Sequence, residues 1–210
     1  MLPRLALAFG GLVALLLTPA FALSYFLSYG EPDESPPGWL AQLREPLLDA
    51  GLLNAGSTET YGMYGRLYFA AWVLGVAGLA GLLRQQWPQF TRPVRWAWVA
   101  LVIALGVVAL GILGEYASRN DSVNEVGFGL TVLGFLGTVA ACGLLAWALR
   151  RDRSINAWTA VGVGALGVVS TGGGFALVGY IPSGLGLGFA AAGLFLGLAG
   201  LSTQESPAKD

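Results

Sequence analysis

Charge is scarce in this sequence. Only 11% of its 210 residues are Asp, Glu, Lys or Arg, and 55% are hydrophobic, whereas about 25% of the residues in an ordinary globular domain are charged. A soluble surface needs more charge than this. The charges also fall between apolar runs that reach the roughly 20 residues a helix needs to cross about 30 Å of hydrocarbon. The sequence therefore predicts that lipid surrounds most of the chain.

Histidine is absent, and Cys142 is the single cysteine. These absences exclude a bis-histidine haem, a histidine-bound zinc and a serine–histidine triad built from this chain alone. They also exclude an intramolecular disulfide. The sequence holds no specific catalytic, metal-binding or nucleotide-binding motif. We therefore predict a protein without enzymatic activity, catalytic residues, metal or cofactor, and without a nucleic-acid partner.

Six apolar segments predict an all-α, polytopic membrane protein with six transmembrane helices in one bundle, residues 1–203. The last apolar tract, residues 157–201, holds 45 residues without an acidic or basic side chain. It would measure about 70 Å as one helix, so we expect it to fold back at Pro182 and the flanking glycines, within residues 179–184. The predicted spans are residues 5–26, 67–83, 96–114, 127–149, 157–178 and 185–202, followed by a short cytoplasmic tail, residues 204–210.

The start of the chain has a second interpretation. Residues 1–4, the apolar run 5–17 and the sequence Ala20-Phe21-Ala22 match the three parts of a secretory signal peptide. Against cleavage, the apolar stretch continues through Leu23 to Leu27. Cleavage would leave five helices without changing the direction of the others.

Basic and acidic side chains sort to opposite sides of the predicted membrane. With the amino terminus inside, the inner segments hold eight basic and three acidic residues, and the outer segments hold three basic and nine acidic ones. Lys and Arg are enriched in cytoplasmic segments, so we expect a cell-membrane protein with both termini in the cytoplasm. Five tryptophans mark the predicted inner boundary, where indoles anchor helices: Trp87, Trp96, Trp98, Trp147 and Trp158.

The first helix carries a small residue at every fourth position, which we call the small-residue ridge. Such ridges let helix backbones approach closely in lipid. The ridge indicates packing either inside the protein's own bundle or against a membrane-protein partner or a second copy. Its members are Ala6, Gly10, Ala14, Thr18 and Ala22.

The longest polar segment, residues 29–66, forms a predicted outer loop. Apolar residues spaced by three and four between Trp39 and Leu53 predict a short amphipathic helix, which Pro46 would bend or divide. The tyrosines that follow are typical of an interfacial belt, or they line an outward-facing vestibule. The polar residues Asn120, Asp121, Asn124 and Glu125 favour a solvated turn over a calcium site, because their spacing is not that of an EF-hand.

A glycine run interrupts the predicted fifth helix after Ser170 and Thr171. It indicates either tight packing against a neighbouring helix or a broken helix that lines a cavity near the midplane. Together with the vestibule, it completes the candidate ligand-binding set: Glu59, Tyr61, Tyr64, Arg66, Glu115, Arg119, Ser170, Thr171, Gly173 and Tyr180.

Three function classes fit these patterns. The predicted spans contain no ionisable side chain, which argues against ion-coupled transport and favours a non-catalytic membrane subunit or scaffold. The alternative is a small-molecule binding or transport subunit. In size and helix count the chain is similar to the substrate-binding membrane subunits of energy-coupling factor transporters, and the small-residue ridge would suit docking to a partner there. The third class is a lipid-modifying enzyme that uses residues at the outer interface: Glu115, Tyr116, Arg119, Asp121 and Glu125.

Overall fold

The computed structural model describes residues 2–28, 35–36, 38–54, 58–118, 120–152 and 185–201, with the single positions 162, 165 and 169. These residues are helical apart from short turns, and no strand occurs among them. The prediction of an all-α chain is confirmed for this part of the sequence. The helices are α1 (Leu2–Ser28), α2 (Gly38–Ala41), α3 (Arg44–Asp49), α4 (Thr58–Gln86), α5 (Arg92–Ala117), α6 (Asp121–Asp152) and α7 (Leu185–Leu201).

Four helices, α1, α4, α5 and α6, are long and apolar enough to cross a membrane. Each extends its predicted span at both ends, and α4 begins nine residues before the predicted boundary at residue 67. A helix does not stop where its charge-free core stops, since its backbone continues through polar residues at the membrane surface. The helix α7 covers all but the last residue of the sixth predicted span. The fifth predicted span, apart from positions 162, 165 and 169, lies outside the described residues, as do the fold-back at residues 179–184 and the tail.

Large apolar side chains cover the outside of these helices. A water-soluble monomer rarely exposes a continuous apolar surface of this kind, whereas lipid solvates it. In α5 and α6, for example, several apolar side chains on the outer face are 60% exposed or more, and the polar side chains are confined mainly to the helix ends. The most exposed include Ile103, Leu110, Val126, Leu133 and Leu136.

The helices α1, α4 and α7 form one packed group, and α5 and α6 form an antiparallel hairpin beside α4. The fully buried Trp72 of α4 connects the two. Its ring lies edge-on to Phe135 of α6, at 5.6 Å between centroids, and to Phe195 of α7, at 5.2 Å. The hairpin defines two ends of the bundle. The acidic end carries the α5–α6 turn. The basic end carries the C-terminal ends of α4 and α6 and the N-terminal end of α5, with their arginines.

The outer loop contains two short helices where the sequence predicts one amphipathic helix. The division falls at Gln42 and Leu43, between α2 and α3. Pro46 lies in the first turn of α3, where a missing N–H donor leaves no intrahelical hydrogen bond unmade. The helix α3 ends at Asp49 and is followed by Gly51, which has a φ of +68°, and the Leu52 N–H returns to the Leu47 carbonyl at 2.9 Å. This left-handed glycine cap turns the chain back toward the bundle.

Candidate functional site

Three side chains at the acidic end form a hydrogen-bonded chain between α4 and α5. The Tyr61 and Tyr116 hydroxyl oxygens are 2.9 Å apart. The Tyr116 hydroxyl donates to Glu115 Oε1 at 2.8 Å. Tyr61 comes from the first turn of α4, and Glu115 and Tyr116 come from the last turn of α5. These hydrogen bonds therefore link the first turn of α4 to the last turn of α5.

Aromatic rings of α1 complete this site. Phe21 stacks on Tyr61, with 5.1 Å between centroids, and meets the Tyr116 ring edge-on at 5.3 Å. Tyr25, one turn further along α1, lies 5.7 Å from the Tyr61 ring. We refer to Phe21, Tyr25, Tyr61, Glu115 and Tyr116 as the Glu115 cluster. It gathers a single carboxyl group and four aromatic rings from three helices.

Two glycines allow the helices to approach closely enough for these contacts. A Cβ atom at Gly65 of α4 would lie 2.1 Å from Cγ of Tyr116, so only glycine leaves room for this ring. A Cβ atom at Gly127 of α6 would lie 2.4 Å from the backbone nitrogen of Glu115. The Asn124 amide nitrogen, assigned from its surroundings, lies 3.2 Å from the carbonyl oxygens of Gly114 and Glu115. These contacts fix the last turn of α5 against α4 and α6.

One carboxylate oxygen of the cluster has no partner. Glu115 Oε2 is buried and makes no hydrogen bond within the described part of the chain. An ionised carboxylate in apolar surroundings costs several kcal/mol unless hydrogen bonds or an opposite charge compensate it. The single bond from Tyr116 compensates one oxygen only. The geometry thus suits a group that brings a proton or a positive charge to Oε2.

Glu115 requires a correction to the sequence-based spans. The predicted third span ends at residue 114, and the predicted spans contain no ionisable side chain. In the structure α5 continues to Ala117, Oε2 of Glu115 is buried, and Oε1 accepts a hydrogen bond from Tyr116. A buried acid in such a helix is a functional-site candidate by default, because its cost in lipid needs a reason.

The structure brings together only part of the predicted vestibule. Tyr61 and Glu115 are in the cluster, whereas Glu59 and Arg66 are exposed. The Arg66 Nε donates to the Gly62 carbonyl of its own helix at 3.1 Å. Tyr64 is buried, and its hydroxyl donates to the Leu52 carbonyl of the outer loop. The remaining predicted residues lie outside the described part of the chain: Arg119, Ser170, Thr171, Gly173 and Tyr180.

The small-residue ridge of α1 packs inside the chain's own bundle. Ala14, Thr18 and Ala22 are fully buried, and Ala6 is half-buried. A Cβ atom at Gly10 would lie 2.8 Å from the Ala71 carbonyl oxygen of α4. Packing of α4 on this face agrees with the first of the two alternatives, in which the ridge packs inside the protein's own bundle. A partner helix on this ridge stays a prediction.

The turn between α5 and α6 uses its polar residues for capping. Asn120 Oδ1 accepts from the Ser122 N–H at 3.0 Å, which is an N-cap of α6, and Asn124 faces the α5 carbonyls. Asp121 and Glu125 are exposed. Among the described residues, no group of three or more His, Cys, Asp or Glu side chains is placed to hold a metal ion.

Sequence reasoning missed the two aromatic residues that α1 contributes to the cluster. Phe21, Tyr25 and the neighbouring Tyr68 were absent from the candidate residues, although Phe21 and Tyr25 are one turn apart on α1. Tyr61 and Tyr68 are two turns apart on α4, so a tyrosine stripe was visible in the sequence. What was not visible is that α1 and α5 pack against this stripe.

Comparison with known proteins adds no relative to this description. No family model, curated protein or solved structure matches the chain.

Proposed function

We propose that this protein is a multi-pass protein of the cell membrane that binds a small organic cation at the Glu115 cluster, as a binding or transport subunit. The observation that carries the proposal is the buried, unpartnered Oε2 of Glu115. A carboxylate there repels anions, and a neutral ligand would leave the buried negative charge uncompensated. A cation compensates that charge.

The aromatic rings support the same ligand class. Ammonium groups are attracted to the electron-rich faces of aromatic rings, and cages of such rings bind quaternary ammonium ligands. The cluster contains four such rings, and the hydroxyl of one of them, Tyr116, donates to the carboxyl group. Because Oε2 has no exposed surface, a ligand reaches it only when side chains of the cluster move apart. We therefore expect binding to change the environment of Tyr61 and Tyr116.

The proposal includes six spans, with both termini in the cytoplasm and the Glu115 cluster facing outward. The support for this direction is that the predicted inner segments hold eight basic residues and the predicted outer segments hold three. The subunit hypothesis has lost one of its supports, since the small-residue ridge packs internally. A membrane-protein partner stays a prediction.

The binding experiment uses the full chain purified in mild detergent. Ethylammonium and choline are titrated, and 3,3-dimethyl-1-butanol, the uncharged isostere of choline, serves as the matched ligand control. We expect saturable binding of at least one cation, detected by calorimetry and by thermal stabilisation, and no binding of the isostere. Equal binding of choline and its isostere would rule out recognition by charge.

The variant Glu115→Gln should weaken cation binding at least about thirtyfold, since loss of one partner of a buried charge pair costs about 2 kcal/mol or more. The matched control is Glu125→Gln, which removes an exposed acid from the same end of the bundle. It should bind like the unmodified chain. If E115Q retained full affinity, the ligand site would have to lie elsewhere.

A further inference from the structure

A second feature lies in the half of the bundle away from the Glu115 cluster, on the exposed apolar face of the α5–α6 hairpin. It is an apolar groove of about 570 Å³ between the two helices. Small residues of both helices form part of it, including Ala100 and Ala104 of α5 and Gly137 and Ala141 of α6. The larger, exposed Ile103 and Leu144 contribute to its two walls.

The register of the hairpin explains why the groove opens in this half. Near the acidic end the two helices touch through backbone, where Gly111 lies against Thr131 and Gly114 against Gly127. A Cβ atom at Gly137 would make only ordinary contact with Ala104, at 3.4 Å. Close backbone contact continues to Gly134, where an added Cβ atom would lie 2.7 Å from the Val108 nitrogen, so the helices separate only from Gly137 toward the basic end.

Beyond the groove, toward the basic end, each of the two helices carries one tryptophan and one arginine. On α5, Trp96 lies one turn before Ala100, and Arg92 one turn before Trp96. On α6, Trp147 follows Leu144 by one turn, and Arg151 follows Trp147 by one turn. All four side chains are exposed. Extending the antiparallel register that aligns Ala104 with Gly137 places Trp96 and Trp147 within about two residues of the same level, or ~3 Å, and Arg92 and Arg151 likewise.

We propose that this groove binds an anionic phospholipid of the leaflet at the basic end. One acyl chain lies in the groove, the tryptophans flank the glycerol region, and the phosphate lies between Arg92 and Arg151. The wall from Leu133 to Leu144 rises about 16 Å at roughly 1.5 Å per residue. That length equals the depth of one leaflet, which is half of a hydrocarbon core about 30 Å thick.

The Arg92 and Arg151 side chains are exposed and can bind a phosphate group. The Arg151 guanidinium is held over the Trp147 ring, 5.4 Å from its centroid, which leaves its N–H edge directed away from the ring for a phosphate oxygen. Neither Arg92 nor Arg151 has an ion-pair partner within the described residues. A second copy of this hairpin, docked in the same direction, would bring two more arginines to the same depth. Charge complementarity therefore favours a phospholipid over a second copy.

The test is native mass spectrometry of the full chain in detergent, titrated with phosphatidylglycerol and with phosphatidylcholine of the same acyl chains. We expect preferential binding of phosphatidylglycerol. The double variant Arg92→Gln/Arg151→Gln should weaken that binding about fivefold for each arginine removed, since each is worth about 1 kcal/mol near an anionic lipid. The control Arg84→Gln/Arg150→Gln removes the same charge from the same end and should leave the preference intact.

Filling the groove tests the acyl-chain half of the proposal. Ala140→Phe places a ring in the groove from an exposed position, and it should abolish retention of the lipid. Leu110→Phe, an exposed lipid-facing site that does not line the groove, is the control and should retain it. Equal binding of the two lipids, or an unchanged preference in R92Q/R151Q, would overturn the proposal. A stable dimer that only A140F dissociates would also overturn it, because the groove would then be a protein interface.

Discussion

At the scale of single residues, the site depends on a contact that involves no charge. Gly65 faces the Tyr116 ring so closely that a methyl group in its place would overlap Cγ and Cδ1 of the ring. Tyr116 in turn provides the donor for Glu115 Oε1. The position of the carboxyl group is thus set by a glycine on a different helix.

The first prediction follows from this contact. Gly65→Ala should lower the stability of the protein by about 1–3 kcal/mol, the usual cost of overpacking, and should also weaken cation binding because Tyr116 must move. Thermal unfolding in detergent measures the first effect, and ligand titration measures the second.

The matched control for this change is Gly62→Ala, one turn earlier on α4, where an added Cβ atom meets nothing within 4 Å. There the substitution should leave the melting temperature unchanged or slightly raised, since alanine favours helix over glycine. Similar losses in G65A and G62A would show that the Tyr116 contact is not responsible, because an added Cβ atom at Gly62 meets nothing within 4 Å.

The sequence allowed part of the site to be predicted at this scale. Glu115 and Tyr61 were identified because acids and tyrosines collect at the outer interface. The burial of Glu115 was not foreseen, because the carboxyl group follows the apolar run by one residue and the extension of α5 leaves no mark in hydropathy. The partners of Tyr61 from α1 depend on helix pairing, which residue spacing along one chain segment does not encode.

At the scale of helices, α5 and α6 are joined by a seam of glycine and threonine. The Thr131 and Thr138 hydroxyls donate to the carbonyls of Gly127 and Gly134 in their own helix, at 3.0 and 2.8 Å. Both hydroxyls are thereby satisfied without a partner on α5, which leaves the contact face smooth. In lipid, close backbone packing of this kind is a main source of association between helices.

The seam leads to a second prediction. Gly127→Ala should destabilise the hairpin by at least about 1–3 kcal/mol, because the new methyl group meets the backbone of Gly111, Gly114 and Glu115, which cannot rotate away. Gly129→Ala lies two residues further on a face with nothing within 4 Å, and its unfolding temperature should match that of the unmodified chain. If both variants unfolded alike, the seam would not determine the stability of the pair.

Helix boundaries show where sequence patterns stop being informative. The positions of α1, α4, α5 and α6 were predicted by their apolar cores, because lipid imposes a minimum length on each span. The division of the outer-loop helix was placed at Pro46, the residue that most often interrupts a helix. The structure divides it at Gln42 and Leu43 instead, since proline is tolerated in a first turn and α3 starts just before it.

At the scale of the whole molecule, the two proposed sites lie at opposite ends. The Glu115 cluster lies with the acidic residues and tyrosines, and the lipid groove opens toward the arginines and tryptophans. The net charge of −1 conceals this polarity. The proposed function adds one requirement, which is that the acidic end faces outward and the basic end faces the cytoplasm.

Labelling of single cysteines in intact cells with a membrane-impermeant maleimide tests this requirement most directly. Asp49→Cys replaces an exposed residue of α3 at the acidic end, and Arg150→Cys replaces one at the basic end of α6. The native Cys142 is buried, so the unmodified chain provides the background. We predict that D49C is labelled in intact cells and that R150C is labelled only after the membrane is permeabilised. Labelling of R150C but not D49C in intact cells, or of both, would contradict the account.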